Sequence, residues 1–325
     1  MGRRPSNGPN FDVLEMPIDT KRGVDLFVDT VNGNDARTGL TWERALATVE
    51  EACNRLKTPK YFGPAAYGKG NSIIHVVGDI REQFLAPLGV HGVKIRGATL
   101  GRPRHSTDGG VVVEGNGVLW RQSASVEGKP LLELRQQGWS LENILMVPES
   151  GYSCVKLHCE ETATYPDASH FEARSVKFIS GGDQVGYGLE DYGGAFHILV
   201  EDCEFFNLEF GWKQSNVGIR APGAHLWQRN VFSGNKNDIA MNSIGSRFRD
   251  NFFHTVYHAS THPITLNLAY TADGGLATNK NFVVDNLFAD NAADVTIAKG
   301  YKPATGDIWR NKVANTAADI VTVPT

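Results

Sequence analysis

Apolar residues in this chain gather in short β-branched runs rather than in long amphipathic stretches. Leu26-Phe27-Val28, Ile73-Ile74-His75-Val76-Val77, Val93-Lys94-Ile95 and Val111-Val112-Val113 are examples, and Gly78, Gly97 and Gly115 punctuate them. Such runs between glycines predict strands. One segment follows a helical period. From Trp42 to Lys57, the apolar positions Ala45, Leu46, Val49, Cys53 and Leu56 fall on one face, with Thr41 placed to cap the start. No amphipathic helix separates the later β-branched runs, so a doubly wound α/β fold, which needs helical crossovers, is excluded. Residues 1–23 show no periodicity and read as an extended arm, and Asn32-Gly33-Asn34-Asp35 reads as a solvated turn.

The second half carries a repeat. Cys203, Asn230, Asn251, Asn286 and Asn311 form one equivalent slot, separated by 27, 21, 35 and 25 residues. Two residues after each slot come Phe205, Phe232, Phe253, Phe288 and Val313; three residues before come Val200, Trp227, Phe248, Val283 and Ile308. Eight after come Gly211, Asp238, Ala259, Asp294 and Asp319. Fainter copies appear at Asn143 with Leu145 and at Val176 with Phe178.

This period varies too much for rigid helical repeats. It suits a coil of short strands whose corners tolerate loops of different length, each coil hydrogen-bonding to the next. Like side chains then stack in rows. A row of Asn at a tight bend satisfies the peptide groups of the bend and bonds to the next Asn. The Phe two places on points inward over its equivalents, each buried ring contributing on the order of 1.5–3 kcal/mol. An antiparallel sandwich is the competing architecture, but recurrence of like residues at like offsets favours parallel stacking over hairpins.

The segment Phe27-Val28-Asp29-Thr30-Val31-Asn32-Gly33-Asn34-Asp35 through Gly39-Leu40-Thr41-Trp42, with Ala45, Thr48 and Ala52, resembles the opening of many right-handed parallel β-helix proteins of the pectate-lyase-like superfold, common among bacteriophage structural proteins and tailspikes. The resemblance implies an all-β fold: a single-stranded right-handed parallel β-helix, or solenoid, over residues 24–325, clearest over about 196–323. It also implies that the helix at Trp42–Lys57 caps the first coil.

Composition narrows the function. Lys and Arg number 32 against 36 Asp and Glu, a net charge of -4, so the basic excess of a nucleic-acid binder is missing. No apolar run approaches the ~20 residues that span a bilayer. The N-terminal residues lack the apolar core of a secretory signal, and Gly2 with Ser6 matches a myristoylation pattern only formally. Cys53, Cys154, Cys159 and Cys203 make no disulfide framework. Cys154 and Cys159 lie near His158 and His170, but their spacing fits no structural zinc pattern, so neither metal nor cofactor is expected.

Chemistry on this superfold must come from a site, since it hosts lyases, hydrolases and proteins without catalysis. The best acidic cluster runs from Gly181-Gly182-Asp183 to Glu190-Asp191, followed by His197, Glu201 and Asp202. A glycosidase needs two carboxyls about 5–9.5 Å apart, and this cluster supplies them only if the loop folds back over the next coil. Arg220-Ala221-Pro222 partly resembles the Arg-Xaa-Pro-Xaa-Xaa-Arg element of pectate lyases, with His225 where the last Arg belongs. His254, His258 and His262 share a strand face but stand about 13 Å apart pair by pair, too far for one ion. Trp212, Trp227, Tyr187, Tyr192 and Tyr301 are candidates for a sugar platform, Trp227 fitting the core row better.

The expectation is a non-enzymatic bacteriophage virion protein: an oligomeric capsid decoration or cement subunit, or a short tail adhesin. It would assemble in the host cytoplasm as a homo-oligomer, a trimer by analogy with tailspikes. Partners would be other virion proteins, met through arm 1–23 or the coil ends, and a host surface glycan. No catalytic residue is assigned; Asp183, Glu190, Asp191, His197 and Arg220 are candidates for the alternative, a polysaccharide hydrolase or lyase.

Overall fold

A computed structural model of the protein describes residues 23–57, 71–98, 117–123, 128–159, 167–180, 184–215, 223–241, 245–254, 264–267, 282–288, 296–299, 308–309 and 312–313. The chain winds repeatedly through three sheets of ten, nine and eight strands, visiting each in turn. Neighbouring strands come from successive coils and pair in parallel, as in Leu199–Glu201 on Leu226–Gln228 and Glu204–Phe206 on Val231–Ser233. The fold is an all-β parallel β-helix.

Strand alternation sends one row of each sheet inward. In the ten-stranded sheet, Leu26, Ile74, Ile95, Leu141, Ala173, Val200, Trp227, Phe248 and Val283 stand opposite one another coil after coil, and all are buried. In the nine-stranded sheet, Phe178, Phe205, Phe232, Phe253 and Phe288 form one column with ring centroids 4.8, 4.7, 4.9 and 5.0 Å apart. That spacing is the distance between hydrogen-bonded strands, so rings at one offset have no choice but to stack.

The Asn row is present as expected. Asn230 Oδ1 accepts the Cys203 N–H, Asn251 Oδ1 accepts that of Asn230, and Asn286 Oδ1 accepts that of Asn251. Each Nδ2 donates to a carbonyl of an earlier coil: Val200, Trp227 and Phe248 respectively. Asn311 lies outside the described residues, as do Ala259, Asp294 and Asp319 and the Val111–Val113 run. Upstream, the register differs from expectation by one residue. Phe178 pairs with Met146, so the slot is Ile144 and not Asn143. Leu145 instead joins Leu119 and Ile179 in a cluster apart from the main core.

The bend just before the slot has its own regularity. Asn143, Ser175, Asp202, Arg229, Asp250 and Asp285 all have φ between +52° and +58°. Left-handed geometry costs a non-glycine residue about 1 kcal/mol or more. It is offset here because each of the first five N–H groups bonds to a carbonyl of the next coil: Arg174, Glu201, Gln228, Arg249 and Val284.

The helix begins later than the periodicity predicts. Trp42–Arg44 is a single 3-10 turn, Thr41 makes no side-chain cap, and the α-helix, α1, is Val49–Lys57. Leu46 is extended and bridges Val28, its N–H bonding to Phe27 O while its carbonyl accepts from Asp29. Asp35, expected in a solvated turn, accepts the N–H groups of Ala47 and Thr48 and the Thr48 hydroxyl. Glu82 accepts those of Val49 and Glu50. Two carboxylates therefore fix where α1 starts. Ala45 and Leu46 are buried as expected, though by an extended segment that covers the free edge of the first strand. Val49, Ala52, Cys53 and Leu56 form the buried face of α1, which packs on the first two strands of the ten-stranded sheet.

Candidate functional site

The sequence candidates separate in space. Strand Tyr187–Tyr192 directs Glu190 outward and Asp191 inward, so the adjacent carboxyls never share a face. Asp191 is fully buried, its Oδ1 accepting the N–H groups of Gly194 and Ala195. It is inaccessible to a polysaccharide, which removes it from the catalytic candidates. Glu190 is half-buried and accepts from the Ser153 hydroxyl at 3.1 Å. His197 sits at the bend after Asp191, its ring stacked on His170 at 4.9 Å. Asp183 and Arg220 lie outside the described residues. His225, in the position of the missing Arg, is buried and serves the backbone by accepting the Ile198 N–H at its Nδ1.

Trp212 and Trp227 are buried and packed edge to face at 5.4 Å, so neither forms a sugar platform. Tyr187 and Tyr192 do reach the outside of the eight-stranded sheet, each with a lysine over its ring: Lys213 at 4.1 Å and Lys156 at 4.4 Å. His158 and Arg135 share the Glu133 carboxylate there, and the His158 hydrogen bond, with Arg135 alongside, holds Glu133 at about 2 despite its burial. His254 contacts the Ser233 hydroxyl, whereas His258, His262 and Tyr301 lie outside the described residues. All four cysteines are buried and unbridged, and burial raises every thiol pKa. Among the described residues, no three His, Cys, Asp or Glu side chains are placed to hold a metal ion, and no helix is long and apolar enough to cross a membrane.

Sequence reasoning missed a groove of about 690 Å³ at the capped end of the ten-stranded sheet. The outward positions Phe27, His75, Arg96 and Glu142 lie in one row across four successive strands. Phe27 stacks on His75 at 5.1 Å and meets the edge of Trp42 at 4.9 Å. Trp42 is 40% exposed. Arg96 and Lys94 both bond to Glu142, at 2.9 and 3.0 Å, and prevail over burial to lower its pKa. His75 lies 3.7 Å from Asp25. The signal was there in the alternation: each strand placed its aromatic or charged residue at the non-core position. Asp25 and Glu142 stand three strand steps apart, about 14 Å, beyond the separation for paired-carboxyl hydrolysis.

Further along that face the charges are neutralised in place. Arg174 and Arg229 both contact Glu201, Gln228 bonds to it as well, and Arg249 continues the row to Gln228. On the nine-stranded sheet the outward row is different: Val231, Phe252 and Leu287 lie in register, Val231 37% and Leu287 38% exposed.

No family model and no curated protein matches the chain. Among solved structures, a rhamnogalacturonan lyase is similar at 9% identity and a TM-score of 0.40, over 89% of this chain and 87% of its own. The Dettilon tailspike protein is similar at 12% identity and 0.39, over 94% and 71%. The GH136 lacto-N-biosidase from Eubacterium ramulus is similar at 10% identity and 0.37, over 93% and 69%.

Proposed function

We propose that the protein is a non-enzymatic virion structural protein, an oligomeric capsid decoration or cement subunit or a short tail adhesin. The observation that carries this reading is the outward Val231–Phe252–Leu287 row on the nine-stranded sheet. A flat apolar strip on a rigid β surface gains free energy when another surface covers it, and a second copy of the chain supplies the cover. The assembly is a homo-oligomer, a trimer in the reading by analogy, with arm 1–23 or the coil ends engaging neighbouring virion proteins. Light scattering tests it: the protein forms a multiple of 35.5 kDa, whereas a lone chain at micromolar concentration overturns it.

A second reading, glycan recognition without turnover, draws on the Trp42–Phe27–His75 groove. The exposed Trp42 indole, with Arg96 and Asp25 lining the same groove, suits a sugar ring, with its apolar face on the indole and its hydroxyls on the charged groups. Glycan-array binding without release of reducing ends or unsaturated products supports it. Turnover that disappears on substitution of Asp183 or Glu190 would replace both readings with the polysaccharide-degrading alternative.

A further inference from the structure

Two buried titratable side chains, unused by the readings above, sit on consecutive passages from the eight-stranded to the ten-stranded sheet. Asp191 is one. Its Oδ1 holds the N–H groups of Gly194 and Ala195 at 3.1 and 2.9 Å, while its Oδ2 is buried with no hydrogen-bond partner among the described residues. Gly193, at φ +109°, is pressed so close to the Cys159 carbonyl that any Cβ would overlap it. A second carboxyl, Asp167, bonds to the Ser169 hydroxyl, whose oxygen in turn accepts the Phe196 N–H at 2.8 Å. Residues 194–196 are thus suspended from two acids. Asp191 is faced by Asp167 and the Cys159 thiol, with Glu190 on its own strand and Leu157 and Gln214 opposite it on the neighbouring strands.

His225 is the other. It does what Asn does in the slot row: its Nδ1 accepts the N–H of a residue one coil earlier, Ile198, at 3.2 Å. Its backbone N–H passes to the Ser246 hydroxyl oxygen, and its Nε2 is buried with no partner among the described residues. A ring nitrogen that accepts a hydrogen bond must be unprotonated. The groups facing it are the Trp212 ring at 5.8 Å and His197, which itself stacks on His170.

We propose that these two passages form a proton-poised joint, in which the buried Asp191 corner is more stable with the Asp191 proton on and the His225 corner is more stable with the His225 Nδ1 proton off. An unpartnered oxygen in an apolar interior tolerates a neutral carboxyl better than a charged one. Burial, reinforced by Asp167 and Glu190, outweighs the Ala195 and Gly194 N–H bonds, which favour the charged form, and moves Asp191 up to about 7. Burial, reinforced by His197, moves His225 down to about 3.

The signs oppose. Asp191, raised from the ordinary ~3.9, contributes stability that is complete below about pH 4 and lost as pH rises to about 7. His225, lowered from ~6.5, contributes stability that is complete above that value and lost as pH falls towards 3. Between about pH 4 and 6.5 the two slopes cancel in global unfolding, while each still governs its own corner. The inference is independent of assembly and of any glycan.

Amide hydrogen exchange of the wild-type protein, corrected for intrinsic rates, reads the corners separately. Protection of Gly194 and Ala195 falls by about tenfold per pH unit between pH 4 and 7, and that of Ile198 rises with the same slope up to about pH 6.5. Asp191→Asn, which keeps the accepting oxygen, removes the first dependence only and raises the melting temperature at pH 8. His225→Asn, which restores the side chain of the slot row, removes the second only. Parallel pH profiles at the two corners, or variants that leave both profiles unchanged, overturn the joint.

Discussion

The side-chain oxygen of Asn251 accepts two hydrogen bonds from Asn230, one from its backbone N–H and one from its Nδ2, both at 3.0 Å. One buried atom therefore serves two donors, and the Asn251 Nδ2 reaches Trp227 O at the same distance. Asn251→Ala leaves two buried donors and a carbonyl short of partners. The expected cost is about 2–4 kcal/mol, measured as a lower midpoint in urea with unchanged slope. Asn251→Asp keeps the acceptor but sets a buried carboxylate oxygen against Trp227 O and Asn286 Oδ1, and should cost at least as much as Asn251→Ala.

Phe232 lies between Phe205 and Phe253, at 4.7 and 4.9 Å. Coils above and below hold the space open, so Phe232→Ala should cost ~3–5 kcal/mol. Phe232→Leu retains most of the volume and should cost clearly less. Equal losses for the two in chemical denaturation would mean that the column contributes through something other than packing.

Glu82 ties α1 to the coil through the N–H groups of Val49 and Glu50, and burial raises it to about 7 against the pull of those bonds. Glu82→Ala removes a cap and should cost about 1–2 kcal/mol. Because the folded pKa is raised, the Glu82 proton contributes stability below about pH 4 that is lost as pH climbs to about 7. Glu82→Gln should flatten that slope in thermal melts recorded across the range.

Val231→Lys with Leu287→Lys places charge on the half-exposed strip while leaving the inward Phe232 and Phe288 in place. The pair should convert the proposed oligomer to single chains in sedimentation experiments with the β spectrum retained. Persistence of the assembly would locate the contact on another face.

Trp42→Ala empties the groove of its exposed indole without touching the buried face of α1. Any glycan bound through that groove should lose about 1–3 kcal/mol of affinity, the loss of one stacking aromatic, by calorimetry. Arg96→Met removes the guanidinium but also leaves Glu142 with Lys94 alone, so its effect on binding is to be read against its effect on melting.

Stacking was legible because side-chain identity reports it directly: Phe at one offset and Asn at another can repeat only if strands pair in parallel. The left-handed bend was not. Asn143, Ser175, Asp202, Arg229, Asp250 and Asp285 share a backbone conformation but no chemistry, since the next coil rather than the side chain stabilises it. The start of α1 was hidden for a related reason, because Glu82 lies 33 residues beyond Val49. Among the candidate residues, Asp191 misled: a carboxylate beside Glu190 suggests a pair, yet consecutive strand residues face opposite ways. The groove went unread because its residues come from segments of the chain that only winding brings together.

The invariance of the bend before the slot partitions where this chain tolerates length changes. Only Asp202 and Cys203 separate Glu201 from Glu204, and Arg229 and Asn230 occupy the same gap one coil later. An extra residue there would shift the following strand by half its repeat, expelling Phe205 or Phe232 to solvent and swallowing its polar neighbours. Evolution and engineering alike must therefore write their insertions at the other corners, where new loops can be grafted without the molecule turning inside out.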